Sequence, residues 1–159
     1  MRRLATAVLL TLAVAQPALA LSCMRPDLVR DFEEAAADPA EWIVVSGALR
    51  FDPADLPPAP GETVTETGGG EIAARMEGMA LSGEGFTIPF DREITLRLTC
   101  AGPWCGSVRP GAHLAFLKHE PPGYTMIVGA CPGRVWPDPT PAMEAQLTAC
   151  MQGDCPATD

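Results

Sequence analysis

Alternating hydrophobic and polar residues predict five β-strands in the middle of the chain. In residues 86–100, Ile94, Leu96 and Leu98 alternate with polar residues, which is the pattern of a strand buried on one face. The other predicted strands cover residues 42–51, 72–83, 113–118 and 124–131, with the last two joined as a hairpin. Gly47 interrupts the first strand and indicates a bulge or sharp coiling there.

A helical spacing of hydrophobic residues replaces this alternation at both ends of the strand region. We predict a short helix at residues 26–37, with Pro26 in its first turn, and a second helix at residues 138–151. Thr140 caps the second helix, Pro141 takes its first position and Gly153 ends it. The apolar faces are formed by Leu28, Val29, Phe32 and Ala36 in the first helix and by Met143, Leu147 and Cys150 in the second.

Five strands flanked by two helices predict a mainly β fold. A small closed or partly open barrel would let such strands pair without leaving exposed sheet edges. Residues 52–71 are rich in proline, glycine and acidic residues, so we predict an exposed loop. Its glycines lack the Gly-Lys-Ser/Thr continuation of a phosphate-binding loop. We expect residues 21–159 to form a single domain and the protein to be a monomer.

Residues 1–20 have the features of a secretory signal peptide. Arg2 and Arg3 precede an apolar stretch at residues 4–15, and Ala-Leu-Ala at 18–20 matches a cleavage site. That stretch is short for a bilayer span, and no later stretch is long and apolar enough, so we predict no transmembrane segment. We expect a secreted or periplasmic protein. The alternative, lipoprotein anchoring through Cys23, would leave an odd number of cysteines to pair.

The net charge of −9 argues against nucleic acid or an anionic membrane as the partner. Acidic residues outnumber basic ones by 20 to 11, and no basic patch with interleaved aromatic residues compensates. We expect a protein or a small molecule as the ligand, with basic or neutral partners favoured. No cofactor is implied by any motif.

All six cysteines follow the predicted cleavage site: Cys23, Cys100, Cys105, Cys131, Cys150 and Cys155. An exported protein meets an oxidising environment, so we expect them to form disulfides that cross-link the fold. Six cysteines allow many pairings, and the sequence does not select one. The local hypothesis joins Cys100 to Cys105 and Cys150 to Cys155, which leaves Cys23 for Cys131.

Metal binding and redox chemistry are the alternatives for these residues. Two equally spaced cysteine pairs would suit a zinc site with four thiolates. Trp104-Cys105 is similar to a thioredoxin-type sequence, but Val108 occupies the place of the resolving cysteine. A copper site would involve His113 and His119 with Met24 or Met126. We expect that the protein binds no metal, at either the zinc site or the copper site.

Motifs of hydrolytic enzymes are absent from the sequence. It contains no Gly-x-Ser-x-Gly, no His-Glu-x-x-His and no convincing serine–histidine–acid set. We therefore expect a binding or inhibitory module without catalytic activity. The alternative is a periplasmic thiol–disulfide or metal-handling protein that acts on zinc or copper. Trp42 is expected in the core or at its edge, whereas Trp104 and Trp136 would pack over disulfides or form a contact surface.

The order of six short segments along the chain can be compared with that of known folds. They are "LSCMRP", "WIVVSGAL", "CG" at Cys105-Gly106, "LAFL", "YTMIVGAC" and "RVWPDPTPAMEAQL". Over about residues 23–150, this order resembles the netrin-like domain, the fold of the tissue inhibitors of metalloproteinases. The resemblance implies a five-stranded oligonucleotide/oligosaccharide-binding (OB) type barrel with terminal helices. It also implies that Cys23 pairs with either Cys105 or Cys131.

The same resemblance implies a binding surface at one rim of the barrel, formed by Cys23, Met24, Trp104 and Gly106. In the inhibitors, the free amine and carbonyl of an N-terminal cysteine chelate the zinc of the target enzyme. Leu21 and Ser22 are expected to precede Cys23 here, which would block that chelation. The inhibitors also have two cysteines in the first segment, where this sequence has one. The rim therefore transfers as a binding surface, whereas zinc chelation does not.

Overall fold

The computed structural model describes residues 21–56 and 69–156. The predicted signal peptide, residues 57–68 of the predicted loop and residues 157–159 lie outside this part of the chain. The helices are α1 (Leu28–Ala37) and α2 (Pro141–Met151), with one turn of 3-10 helix at Pro53–Asp55. The strands are β1 (Trp42–Arg50), β2 (Gly69–Ser82), β3 (Gly85–Ala101), β4 (Trp104–Cys105), β5 (Gly111–Glu120), β6 (Gly123–Val128) and β7 (Val135–Pro137).

Five strands form one sheet that closes on itself as a ring. The strand order is β1-β2-β3-β6-β5, and β5 also pairs with β1. All of these pairings are antiparallel except that between β3 and β6, which is parallel. The two-residue β4 pairs with β3, and β7 pairs with β5. The prediction of a mainly β fold with two helices and disulfides is confirmed.

Two hydrophobic cores lie on opposite faces of this sheet. Strand β5 contributes Ala115 and Leu117 to the core inside the ring, and Leu114 and Phe116 to the core beneath the helices. Successive side chains of a strand point to opposite faces. The continuous apolar run of β5 is therefore buried on both sides, which explains why its sequence lacks the alternation seen in β3.

Gly47 marks a close approach of two backbones. It pairs with Gly78, and a Cβ added to Gly47 would lie 2.2 Å from the carbonyl oxygen of Glu77. A Cβ added to Gly78 would lie 2.1 Å from the carbonyl oxygen of Ser46. The register of β1 on β2 is continuous here. Of the two alternatives predicted at Gly47, a bulge or sharp coiling, the bulge is therefore wrong, and the glycine pair lets β1 and β2 pass without side chains between them.

Helix α1 begins two residues later than predicted. Its N-cap is Asp27, whose side chain accepts a hydrogen bond from the backbone N–H of Arg30 at 3.0 Å. Its buried face also differs from the prediction, because Asp31 and Ala35 are buried while Ala36 is exposed. A carboxylate therefore lies on the inner side of this helix.

Helix α2 agrees closely with the sequence prediction. The Thr140 side chain accepts a hydrogen bond from the backbone N–H of Met143, and Leu147 and Cys150 are buried. The helix ends before Gly153, which has φ of +87° and donates its N–H to the Cys150 carbonyl at 3.0 Å. The helix packs against α1 and against the β2–β3 hairpin.

An ion-pair network spans the outer surface of β2, β3 and β5. Arg97 bonds both Glu71 and Glu120, and Glu120 also accepts hydrogen bonds from Thr125 at 2.7 Å and faces Lys118 at 3.3 Å. Hydrogen bonds from Arg97, and then from Thr125, lower the pKa of Glu120 to about 2. Because the folded pKa lies below the unfolded one, this carboxylate stabilises the fold above the unfolded pKa. That contribution is lost as the pH falls towards about 2.

Arg97→Gln is expected to raise the pKa of Glu120 towards the ordinary glutamate value of 4.5. Glutamine remains polar, but it is shorter and lacks the positive charge that favours the carboxylate. Carboxyl-carbon NMR over an acid titration measures this pKa directly. Arg75→Gln is the control, since Arg75 pairs with Asp91 at 2.7 Å and should leave Glu120 unchanged. A Glu120 that still titrates near 2 in the Arg97 variant would contradict the assignment.

Candidate functional site

The segment that contains Trp104 is a tight turn closed by a disulfide. Cys100 and Cys105 are paired residues of β3 and β4, and their sulfur atoms are bonded. Gly102 provides the positive φ, +59°, that the turn requires. The Trp104 ring lies over this glycine, 3.8 Å from the position that a Cβ would occupy, and Trp104 is 39% exposed. The turn thus holds a large aromatic side chain at the surface.

Gly106 packs this turn against the end of β6. Its N–H donates to the Thr99 carbonyl at 2.9 Å. A Cβ on Gly106 would lie 2.1 Å from the carbonyl oxygen of Val128, so no larger residue fits without displacement of the backbone. The "CG" segment therefore contacts the chain just before Cys131.

The N-terminal segment is bonded to the same region. Cys23 forms a disulfide with Cys131 across 108 positions of sequence, and Cys150 is bonded to Cys155. This is the local pairing hypothesis, and it leaves no free cysteine among the six. Met24, next to Cys23, is 70% exposed. Of the residues predicted at the rim, Cys23 and Gly106 therefore lie near the same end of β6.

An open cleft of about 930 Å³, here called the rim cleft, lies beside these two bridges. One wall is formed by Cys105 with residues 107–113 and the other by residues 128–133, so each wall contains a bridged cysteine, Cys105 or Cys131. The cleft is at one end of the ring, because β5 begins there and the antiparallel β6 ends there. Leu49, near the end of β1, pairs with Gly111 at the same place.

The rim cleft contains one buried imidazole and two opposite charges. His113 is 5% exposed, and its Nδ1 lies 3.1 Å from the carbonyl oxygen of Gly111. A carbonyl can only accept, so Nδ1 carries the hydrogen and Nε2 remains as the second polar atom. Arg109 and Asp138 also line the cleft, and both are exposed. Such a lining is suited to holding a polar or polypeptide ligand by non-covalent contacts.

The two histidines lie too far apart to share a metal ion. His113 and His119 belong to the continuous strand β5, and six residues of strand span about 20 Å. His119 is instead paired with Glu41, with Nδ1 2.9 Å from the carboxylate. Met126, the other suggested ligand, is fully buried in the core of the ring. Within residues 21–56 and 69–156, no three histidine, cysteine or acidic side chains are grouped to hold a metal.

The sequence patterns did not identify Asp31 as a buried hydrogen-bond acceptor for the segment that follows Cys131. Asp31 of α1 accepts hydrogen bonds from the Arg134 backbone N–H at 3.1 Å and from Trp136 Nε1 at 3.0 Å. These donors follow Cys131 and lead into β7. The sequence signal was an acidic residue placed one turn after the N-cap, but such residues are usually solvated, so the pattern alone does not identify it.

Comparison with known proteins adds no further constraint. No protein-family profile, characterised sequence or solved structure matches this chain. Among the described residues, no helix is both long and apolar enough to cross a membrane.

Proposed function

We propose that this protein is an exported binding or inhibitory module, built on an OB-type barrel of the netrin-like kind and without catalytic activity. The closed ring supports this fold. Two of its strand pairs, β3–β6 and β5–β1, join strands that are not consecutive in sequence, as a Greek-key arrangement requires. The OB fold is a five-stranded, partly open Greek-key barrel. The bond between Cys23 and Cys131 is one of the two pairings that the resemblance implies.

The observation that supports the proposed function is that two exposed apolar side chains are next in sequence to bridged cysteines of the rim region. Met24 and Trp104 are large, exposed hydrophobic residues. Met24 follows Cys23, which is bonded to Cys131 of the cleft lining, and Trp104 precedes Cys105, which itself lines the cleft. Methionine and tryptophan are enriched at protein interfaces. A contact surface held in place before binding loses less conformational entropy when the partner arrives.

The net negative charge of the chain favours some classes of partner over others. A formal net charge of −9 favours basic or neutral polypeptides and disfavours acidic ones. Arg109 and Asp138 at the cleft can each pair with a charged group of the partner. We therefore propose a polypeptide partner that places apolar side chains against Met24 and Trp104 and its backbone along the cleft.

Selection from a phage-displayed peptide library tests this function. Peptides enriched on the native protein are expected to bind the Met24→Ala/Trp104→Ala variant about 30-fold more weakly, which is the size of effect seen when hot-spot side chains are truncated. Ile88→Ala is the matched control, because Ile88 is also exposed but lies at the other end of the ring. Dissociation constants from fluorescence anisotropy give the comparison.

Two results would contradict the proposal. The first is a set of peptides that bind the double variant as tightly as the native protein. The second is chemistry at the cysteines, seen as a reactive thiol in free-thiol counting or as zinc or copper in elemental analysis. That second result would favour a thiol–disulfide or metal-handling protein instead.

A further inference from the structure

The end of the ring opposite the rim cleft opens into a second groove that is mainly apolar. It lies between α1, the start of β1 and the β2–β3 hairpin, encloses about 440 Å³ and is here called the hairpin groove. Phe32, Trp42 and Phe90 line it, and Ile88 lines it while remaining 52% exposed. This volume is within the range of small-molecule sites, which are concave and lined mostly by apolar side chains.

The hairpin groove follows from a separation of β1 and β2. Their pairing begins at Val45, opposite Ala80, whereas residues 42–44 of β1 pair with β5 on their other side. The register of β2 on β3 shifts between Ala80 and Leu81. A shift of this kind bends the strand. The two strands therefore diverge at this end of the ring, and the gap between them is part of the sheet itself.

Arg92 is the charged side chain that lines this groove. It lies on the same face of β3 as Phe90 and Ile94, which are buried in the core of the ring, yet Arg92 itself is exposed. Its Nη1 donates to the carbonyl oxygen of Asp91 at 3.0 Å. It forms no ion pair with any carboxylate of the described residues. Among the residues that line this groove, Arg92 is thus the one charged group, and no described carboxylate neutralises it.

We propose that the hairpin groove binds a medium-chain aliphatic carboxylate. The chain packs against Phe32, Trp42 and Phe90, which removes apolar surface from water. The carboxylate lies on Arg92, whose planar guanidinium can donate two parallel hydrogen bonds to it. A volume of about 440 Å³ suits one short chain better than the two chains of a phospholipid. This site is at the opposite end of the ring from the rim cleft, so it does not depend on the function proposed there.

Isothermal titration with sodium decanoate, below its micellar concentration, tests the proposal. The native protein is expected to bind with a dissociation constant on the order of 0.1 mM or tighter. Arg92→Gln should weaken decanoate binding about tenfold or more. The same variant should leave binding of decanol unchanged, because decanol keeps the chain but has no carboxylate. Arg109→Gln, at the rim cleft, is the control and should change neither.

Two further measurements keep the test decisive if the Arg92 variant is poorly folded. Ile88→Asp places a negative charge beside the groove and should weaken decanoate more than decanol. In nitrogen–proton NMR spectra, decanoate should shift the indole signal of Trp42 and leave that of Trp104 in place. The proposal is overturned by absent binding, by equal decanoate affinity of the native and Arg92 proteins, or by shifts at Trp104 alone. A decanoate-independent dimer that covers Ile88 in sedimentation experiments would also overturn it.

Discussion

Replacing Cys23 and Cys131 together with serine is expected to lower the free energy of unfolding by about 5 kcal/mol. The bridge connects residues 108 positions apart. A cross-link that closes so long a loop removes much of the conformational freedom of the unfolded chain, which raises the stability of the folded state. Equilibrium unfolding in guanidinium chloride, extrapolated linearly to water, measures the loss. The slope of that line should also increase, because the unfolded chain without the bridge exposes more surface.

Removal of this bridge is also expected to have a local effect, because of where the bridge lies. Cys23 precedes α1 and Cys131 follows β6, so both lie outside helices and strands. Arg30 Nη2 donates to the Arg25 carbonyl at 2.7 Å, but this contact stays within the N-terminal region and does not reach the ring. Amide hydrogen exchange should therefore accelerate in residues 21–27 and along the cleft wall at residues 128–133.

The matched control is removal of a bridge that closes a short loop. Cys100 and Cys105 are 5 positions apart. The same relation between loop length and stability predicts that their double serine variant loses only about 2 kcal/mol of the free energy of unfolding. Equal losses from the two double variants would contradict the chain-entropy explanation. They would indicate that the length of the closed loop does not set the stability that each bridge contributes.

The parts of the fold that sequence predicted are those governed by local rules. Helix α2 was predicted with its cap because Thr140, Pro141 and Gly153 act within one or two turns of their own position. The inward face of β3 was predicted because Ile94 and Leu96 alternate with polar neighbours and only one face of that part of the strand is buried. In each case the residues that decide the structure are close together in the chain.

The remaining features depend on contacts between distant parts of the chain. Strand β7 has only three residues and exists because β5 offers it an edge, so it has no periodicity of its own to detect. The close crossing at Gly47 requires Gly78 from another strand. The hairpin groove requires a register shift in β2, which the alternation of side chains does not reveal. The pairing of Cys23 with Cys131 followed from assigning the other four cysteines to local bridges, whereas a binding surface at the rim could be proposed only through a family resemblance.

Asp31 is the most consequential of these distant contacts, and Asp31→Ala is expected to lower the free energy of unfolding by about 3 kcal/mol. The carboxylate is 5% exposed and accepts hydrogen bonds from the Arg134 backbone and the Trp136 indole. Hydrogen bonds to a charged group are stronger than neutral ones, and their loss leaves two donors without this acceptor. Guanidinium chloride unfolding under the same conditions measures the change.

Glu34→Ala is the control for this substitution, because it removes a carboxylate from the same helix. Glu34 is half exposed, and its distances to Arg30 and Arg134 are 3.9 Å and 3.8 Å. Exposed pairs of this kind contribute less than about 1 kcal/mol. We therefore expect little change from Glu34→Ala, so that a large effect at position 31 reports the buried acceptor rather than the charge of α1.

A double-mutant cycle with Trp136→Phe separates the indole contact from the general effect of burial. Phenylalanine keeps an aromatic ring at position 136 but removes the Nε1 donor that bonds Asp31. If this hydrogen bond stabilises the fold, the double variant should lose about 1–2 kcal/mol less than the sum of the two single variants. Additive losses would show that Asp31 acts only through the Arg134 backbone. In that case, of the two hydrogen bonds that Asp31 accepts, only the one from the Arg134 backbone would help to hold α1 to the segment after Cys131.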